Sequence, residues 1–197
     1  THFGIFSPGV TQLFPDGHVI DIHPYEPNEV PVMIAAAMAS DAPIVALHLT
    51  RPGITVPDRE ALGIPSHYAA AKGAYIIRDY EPGPRMGCLI VQGTMSTVNT
   101  IAILPELKKA NLNVKIVAAP SPQLFAQQSD EYRDSVLSDA DKVDSTVISN
   151  RSRRLMADWI FTRDGYEYAM TSDWDDRWRT GGSVEEIIAE ERHLLAG

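Results

Sequence analysis

Cys88-Leu-Ile-Val-Gln-Gly93 and, after one helical stretch, Asn113-Val-Lys-Ile-Val-Ala118 decide the fold. The first run is apolar, of strand length, and stopped by glycine. Between the runs, Val98, Ile101, Ala102, Leu104 and Leu107 recur at helical spacing. A strand, a helix and a second strand joined by short turns form a parallel crossover. The near-continuous apolar character of both strands suits a sheet covered on both faces.

The alternation continues downstream. Residues 121–137 read as one or two short helices, and Lys142 to Ile148 as a third strand. Arg151 to Phe161 reads as a helix with Leu155, Trp159 and Ile160 on its apolar side, and Tyr166 to Met170 as a last strand. Ser183 is placed to cap a final helix. Glu185 and Glu186 fall in its first turn, and Arg192 and His193 in its last, an order that suits the helix dipole.

Upstream lies Asp79-Tyr-Glu-Pro-Gly-Pro-Arg-Met-Gly87, whose two prolines and two glycines exclude a continuing helix or a central strand. Before it, His18 to Ile22 alternates as a short strand. Asn28 and Glu29 start a helix running through Ala39. Pro43 to Leu49 reads as a buried strand, and Ala74 to Ile77 as another. The expected architecture is α/β. Residues 86–197 form a three-layer, mostly parallel sheet with helices on both faces, preceded over residues 1–85 by part of a second α/β domain.

Composition bounds the function. With 197 residues, 44% hydrophobic and 22% charged, the chain has the balance of a globular protein. A net charge of −9 argues against sequence-independent binding to nucleic acid or an anionic membrane. Cys88 is the only cysteine, so no intramolecular disulfide forms, and a reducing, cytoplasmic setting is expected. No run is apolar for long enough to span a bilayer as a helix. A chain opening on Thr1 rather than methionine reads as a truncated or processed product.

Few residues advertise chemistry. Gly93-Thr-Met-Ser96 could cradle an anion at a helix N-terminus, but it reads first as a tight strand-to-helix turn, and no dinucleotide fingerprint is present. His18 and His23, five apart on a strand, point to opposite faces and do not share a metal. Asp173, Asp175 and Asp176, between Trp174 and Trp178, read as an exposed acidic run, and no metal ligand is assigned. Cys88 and the serines lack a visible base partner for nucleophilic catalysis. Arg51, just past a buried strand, sits where α/β sheets bind ligands, and a guanidinium there can grip phosphate.

The order of motifs resembles the transketolase family. Thr1-His2, then Ile22-His-Pro-Tyr-Glu-Pro-Asn-Glu29, Leu49-Thr-Arg-Pro52 and Lys72-Gly-Ala-Tyr-Ile-Ile77 are similar to the late part of its pyrimidine-binding domain. Cys88 to Met95 resembles the opening of its carboxy-terminal domain, and Pro105 to Val117 with Pro120 to Leu137 follows that domain most closely. The resemblance implies two-carbon ketol transfer between sugar phosphates of the pentose phosphate pathway. It implies thiamine diphosphate and Mg2+ or Ca2+ in the complete enzyme, held between two subunits. The partner is then a second copy or a subunit supplying the diphosphate-binding domain. His2 matches the family's catalytic histidine, and Arg51 the arginine that holds the substrate phosphate.

Departures bound that expectation. The family's Gly-Pro-Thr-His-Gln stretch is here Pro8-Gly-Val-Thr-Gln12, without the histidine. The activating glutamate and the diphosphate-binding domain lie outside these residues, so the isolated chain is expected to be inactive and to bind no cofactor alone. Deoxyxylulose-phosphate synthase, the beta-type subunit of a 2-oxoacid dehydrogenase, and a non-catalytic dimerisation or regulatory module stay open as alternatives. Pro105 falls where the family helix is continuous, which predicts a kink or split.

Overall fold

The computed structural model describes residues 7–50 and 53–171. The acidic run 173–176 and the helix expected from Ser183 lie outside them. Two sheets are present among the described residues. The smaller pairs β1 (Val19–Ile22) with β2 (Ile44–Leu47) in parallel, joined through α1 (Glu29–Met38). The larger has five strands: β3 (Tyr75–Arg78), β4 (Cys88–Gln92), β5 (Lys115–Ala118), β6 (Ser145–Ser149) and β7 (Met170–Thr171). Their spatial order is β3-β5-β4-β6-β7. All neighbours are parallel except β3 and β5.

Strand alternation gives the large sheet two apolar faces. Val91, Ile116 and Ile148 pack on one side with Ile101, Ile22 and Met33. Ile90, Val117 and Val147 pack on the other with Phe125, Leu137, Met156 and Trp159. Each such side chain, fully buried, contributes roughly 1.5–3 kcal/mol. The expected arrangement, a mostly parallel sheet with helices on both faces, is therefore the observed one.

The helix after β4 divides where Pro105 predicts. α2 (Thr94–Ala102) ends, and α3 (Leu104–Lys109) begins with the proline in its first turn, where a missing N–H costs nothing. Residues 121–137 form two helices, α4 (Pro122–Ala126) and α5 (Asp130–Val136), each capped by a serine side chain.

Four details differ from the sequence reading. The strand expected from Lys142 begins only at Ser145. Ser138 and Asp141 form a reciprocal capping box that winds α6 (Asp139–Val143) instead. Residues 153–159 form a 3₁₀ helix, whose three-residue period puts Met156 and Trp159 together in the core. The stretch from Tyr166 closes α7 (Arg163–Glu167), started by the Thr162 hydroxyl accepting from the Gly165 N–H at 3.0 Å, and only β7 is extended. β2 was expected mid-sheet. Among the described residues it pairs with β1 alone, and Leu47 is exposed.

β3 lies upstream of the proline-glycine segment yet joins the downstream sheet, antiparallel to β5. The segment turns the chain back, and Asn113 pins it. Its side-chain amide donates to the carbonyls of Glu81 at 2.8 Å and Pro84 at 3.0 Å, and its side-chain oxygen accepts from the Glu81 N–H at 2.8 Å.

Candidate functional site

Parallel strands direct their carboxyl ends to one edge, and ligands of α/β sheets collect there. Residues i and i+2 of a strand share a face, so Asp21 and His23 project together past the end of β1. The β1–β2 register pairs Ile22 with Leu47, which brings His48, the next residue, opposite His23. The two imidazoles stack with centroids 4.1 Å apart and planes 16° from parallel.

The group is hydrogen-bonded from several elements. His48 Nε2 lies 2.7 Å from Asp21 Oδ1. The Thr11 hydroxyl donates to Asp21 Oδ2 at 2.8 Å, and the Asp21 N–H donates to Gln123 Oε1 at 3.1 Å. Arg151, just past β6, points Nη1 at His23 Nε2 (3.0 Å) and donates to Gln92 Oε1 (2.6 Å). Gln92 donates onward to the Ala119 carbonyl at 2.9 Å. Donor atoms of Asp21, His23 and His48 all lie within 4.8 Å of one another.

Electrostatics follow from burial. Burial, then the Arg151 guanidinium and His48, hold the His23 pKa well below the ordinary imidazole value, so the ring is neutral near pH 7. Burial also lowers the Arg151 pKa to about 10, although Asp21 and Asp158 pull it the other way. The Asp158 carboxyl is pushed up by burial and then by Asp21. Beside it opens a cleft of about 630 Å³ lined by Asp16, Val19, Ser40, Asp41, Gln123 and Asp158.

The end of β1 also closes the large sheet. Between β4 and β6 the connections diverge, to β5 on one side and from β5 across to β6 on the other, which is where a crevice forms. Residues 23 and 24 lie over it. The His23 N–H donates to the Pro120 carbonyl at 2.8 Å, and the Thr94 hydroxyl to the Pro24 carbonyl at 2.9 Å. Gly93, at φ +101°, makes the tight turn that starts α2 beneath them.

A second buried group braces this edge from behind. Glu29 is fully buried and accepts from the Tyr25 N–H (2.6 Å), the Tyr75 hydroxyl (2.6 Å) and Arg59 Nη2 (2.5 Å). Arg59 also donates to Glu26 at 3.2 Å. Glu29 thus ties α1 to β3 rather than simply neutralising the helix start. Burial pushes its pKa up against the pull of these donors.

The two residues chosen from sequence, His2 and Arg51, lie outside the described residues. Arg51 follows Thr50 directly in the chain, three positions after His48. Sequence reasoning weighed His18 against His23 along one strand and missed the partner across the ladder. The signal was the apolar run ending in His48, which needed the β1–β2 pairing to be interpreted.

A family model described as the transketolase-like C-terminal domain matches residues 73–172. The transketolase of Bacillus subtilis is 34% identical over 119 residues, covering 59% of this chain and 17% of that protein. The chloroplastic transketolase of Zea mays is 38% identical over 98 residues, 48% of this chain and 14% of that protein. The fold superposes on a Pichia stipitis transketolase solved with sedoheptulose 7-phosphate at a TM-score of 0.64 and 18% identity, covering 98% of this chain and 27% of that one. The Leishmania mexicana transketolase gives 0.59 at 20% identity, with 98% and 27% covered. The chain thus spans well under a third of these relatives.

Proposed function

The chain belongs to the transketolase-like C-terminal domain family, and from that premise we propose that it is the carboxy-terminal part of a thiamine-diphosphate enzyme moving two-carbon ketol units between sugar phosphates. The observation that carries this reading is the family match over residues 73–172, continued upstream by a fold likeness covering 98% of the chain. In this reading residues 1–85 are the end of a pyrimidine-binding domain and residues 86–197 the carboxy-terminal domain. His2 exchanges a proton with a substrate hydroxyl, as a neutral imidazole can. Arg51 grips the substrate phosphate through two parallel hydrogen bonds.

Thiamine diphosphate, when bound, supplies the stabilised carbanion that carries the two-carbon unit. The one strand-to-helix glycine turn described here, at Gly93, is covered by Pro24 through Thr94, so it offers no open diphosphate cradle. The diphosphate and its Mg2+ or Ca2+ therefore belong to another region or to the second subunit of a dimer, and no step through the cofactor is assigned to the described residues. No described helix is long and apolar enough to cross a membrane. A reducing, cytoplasmic compartment suits Cys88, whose thiol burial pushes up to about 12.

The experiment is reconstitution. The isolated chain, given thiamine diphosphate, Mg2+ and a ketose-phosphate/aldose-phosphate pair, turns over neither. Joined to the region that supplies the diphosphate site, it transfers the ketol unit. Turnover by the isolated chain would sink the fragment reading, and an inactive complete assembly would sink the transferase reading.

A further inference from the structure

We propose that Asp21, His23 and His48 form a binding site for a borderline divalent metal ion of the zinc class. The inference stands apart from ketol transfer and from the cofactor's own metal. It rests on geometry within the chain. Three residues of metal-ligating type converge from the carboxyl ends of two adjacent parallel strands, with one donor atom from each inside a 4.8 Å sphere of mutual distances. Two imidazole nitrogens and one carboxylate oxygen are the donor set that zinc, cobalt and their neighbours favour. Hard cations such as Mg2+ prefer oxygen and disfavour this set. Three protein ligands also leave a coordination position open, the form taken by metal sites that act on a bound molecule.

The surroundings have the features of a supported site. Asp21 is held from both sides, by the Thr11 hydroxyl on Oδ2 and by Gln123 on its backbone N–H, and such partners fix a ligating carboxylate in place. His23 and Asp21 are 5% and 6% exposed, so they form a shielded floor, while His48 is partly open. The charge balance is negative. Asp16, Asp21 and Asp158 act on one another, and Arg151 is the cation acting among them. The neighbouring cleft carries Asp16, Asp41 and Asp158 in its lining, so a cation enters along a field that attracts it.

Arg151 is the competitor. Its guanidinium donates toward His23 Nε2, so a metal taking that lone pair displaces it. A metal taking Nδ1 leaves a proton on Nε2 facing the same guanidinium. Either way Arg151 opposes the ion, and replacing it strengthens binding. Gln92 Oε1 gives the arginine a second partner to retain.

The test uses the untagged 197-residue chain and Co2+, whose unpaired electrons broaden nearby NMR signals. The expected result is one Co2+ per chain, displaced by Zn2+, with broadening centred on residues 21–23 and 48. Asp21→Asn and His48→Asn each weaken binding by no less than the roughly 10–100-fold typical of losing a ligand's supporting partner. Arg151→Met, similar in volume, tightens it. The wild-type broadening map decides the matter even where a variant fails to fold. Broadening centred on His18 or His67, or folded variants that bind Co2+ like the parent, overturns the proposal.

Discussion

Asp21 and His48 meet across two parallel strands, Oδ1 to Nε2 at 2.7 Å, although 27 positions separate them in the chain. The contact is a direct consequence of the β1–β2 register. Asp21→Ala leaves the Thr11 hydroxyl and the His48 ring without their shared acceptor in a largely buried place. The expected loss is about 1–3 kcal/mol, read from urea unfolding followed by circular dichroism.

Arg59 and Glu29 form a buried ion pair at 2.5 Å. Arg59→Ala strands a carboxylate with no route to water, and the expected cost is about 3–5 kcal/mol. The double change Arg59→Met with Glu29→Gln recovers most of it, because the charge leaves with its partner. Denaturant midpoints of the three proteins check the ordering.

Lys115 Nζ and Asp141 Oδ2 lie 2.9 Å apart, both nearly fully buried. Burial alone would raise the Asp141 pKa, but the hydrogen bonds from Lys115 and Ser138 together outweigh it and hold the carboxyl below its ordinary range. The unfolded chain therefore binds this proton more readily than the folded one. The pair's contribution is complete above the ordinary aspartate value and fades as pH falls through the lowered one. Asp141→Asn removes this dependence. Melting temperatures between pH 6 and pH 3, with the difference between parent and variant shrinking toward the acid end, are the measurement.

Gly73 ends the 3₁₀ turn His67–Lys72 at φ +82°, and a Cβ there would meet the Phe125 nitrogen at 2.2 Å and the Ser121 carbonyl at 2.4 Å. Both are backbone atoms and cannot swing aside. Gly73→Ala is expected to cost more than about 1 kcal/mol, beyond the usual range for a glycine in a compatible conformation. Thermal unfolding reads it directly.

Arg51→Ala, in the complete assembly, is expected to raise the Michaelis constant for phosphorylated substrates while leaving unphosphorylated analogues little changed. The loss of a bidentate grip on phosphate acts on binding first. Steady-state kinetics with matched phosphorylated and free sugars check it, and equal effects on both remove Arg51 from the site.

The large sheet was legible because β4, β5 and the helical stretch between them carry separate periodicities, and Pro105 marks its own break. The ends of elements were not. Ser138 and Asp141 wind α6 through side-chain caps that outweigh the strand-like look of Lys142 and Val143. β3 was assigned to the upstream segment because a strand's partner is not written in its own residues. Its place beside β5 depends on how the turn at 79–87 folds back onto Asn113. The candidate site was hidden for the same reason. Asp21, His23 and His48 are ordinary residues separately, Arg151 lies more than a hundred positions away, and only the parallel register and the sheet order gather them.

The position of β3 gives the chain a property its linear map hides. A protease cutting within 79–87 would sever the backbone without parting the pieces. The upstream piece lends its last strand to the downstream sheet, and its His23 and Pro24 are clasped by Pro120, Arg151 and Thr94. The two halves are a complementing pair. The peptide link between them sets only their effective concentration, and separately made pieces 1–80 and 84–197 would find each other by completing a sheet.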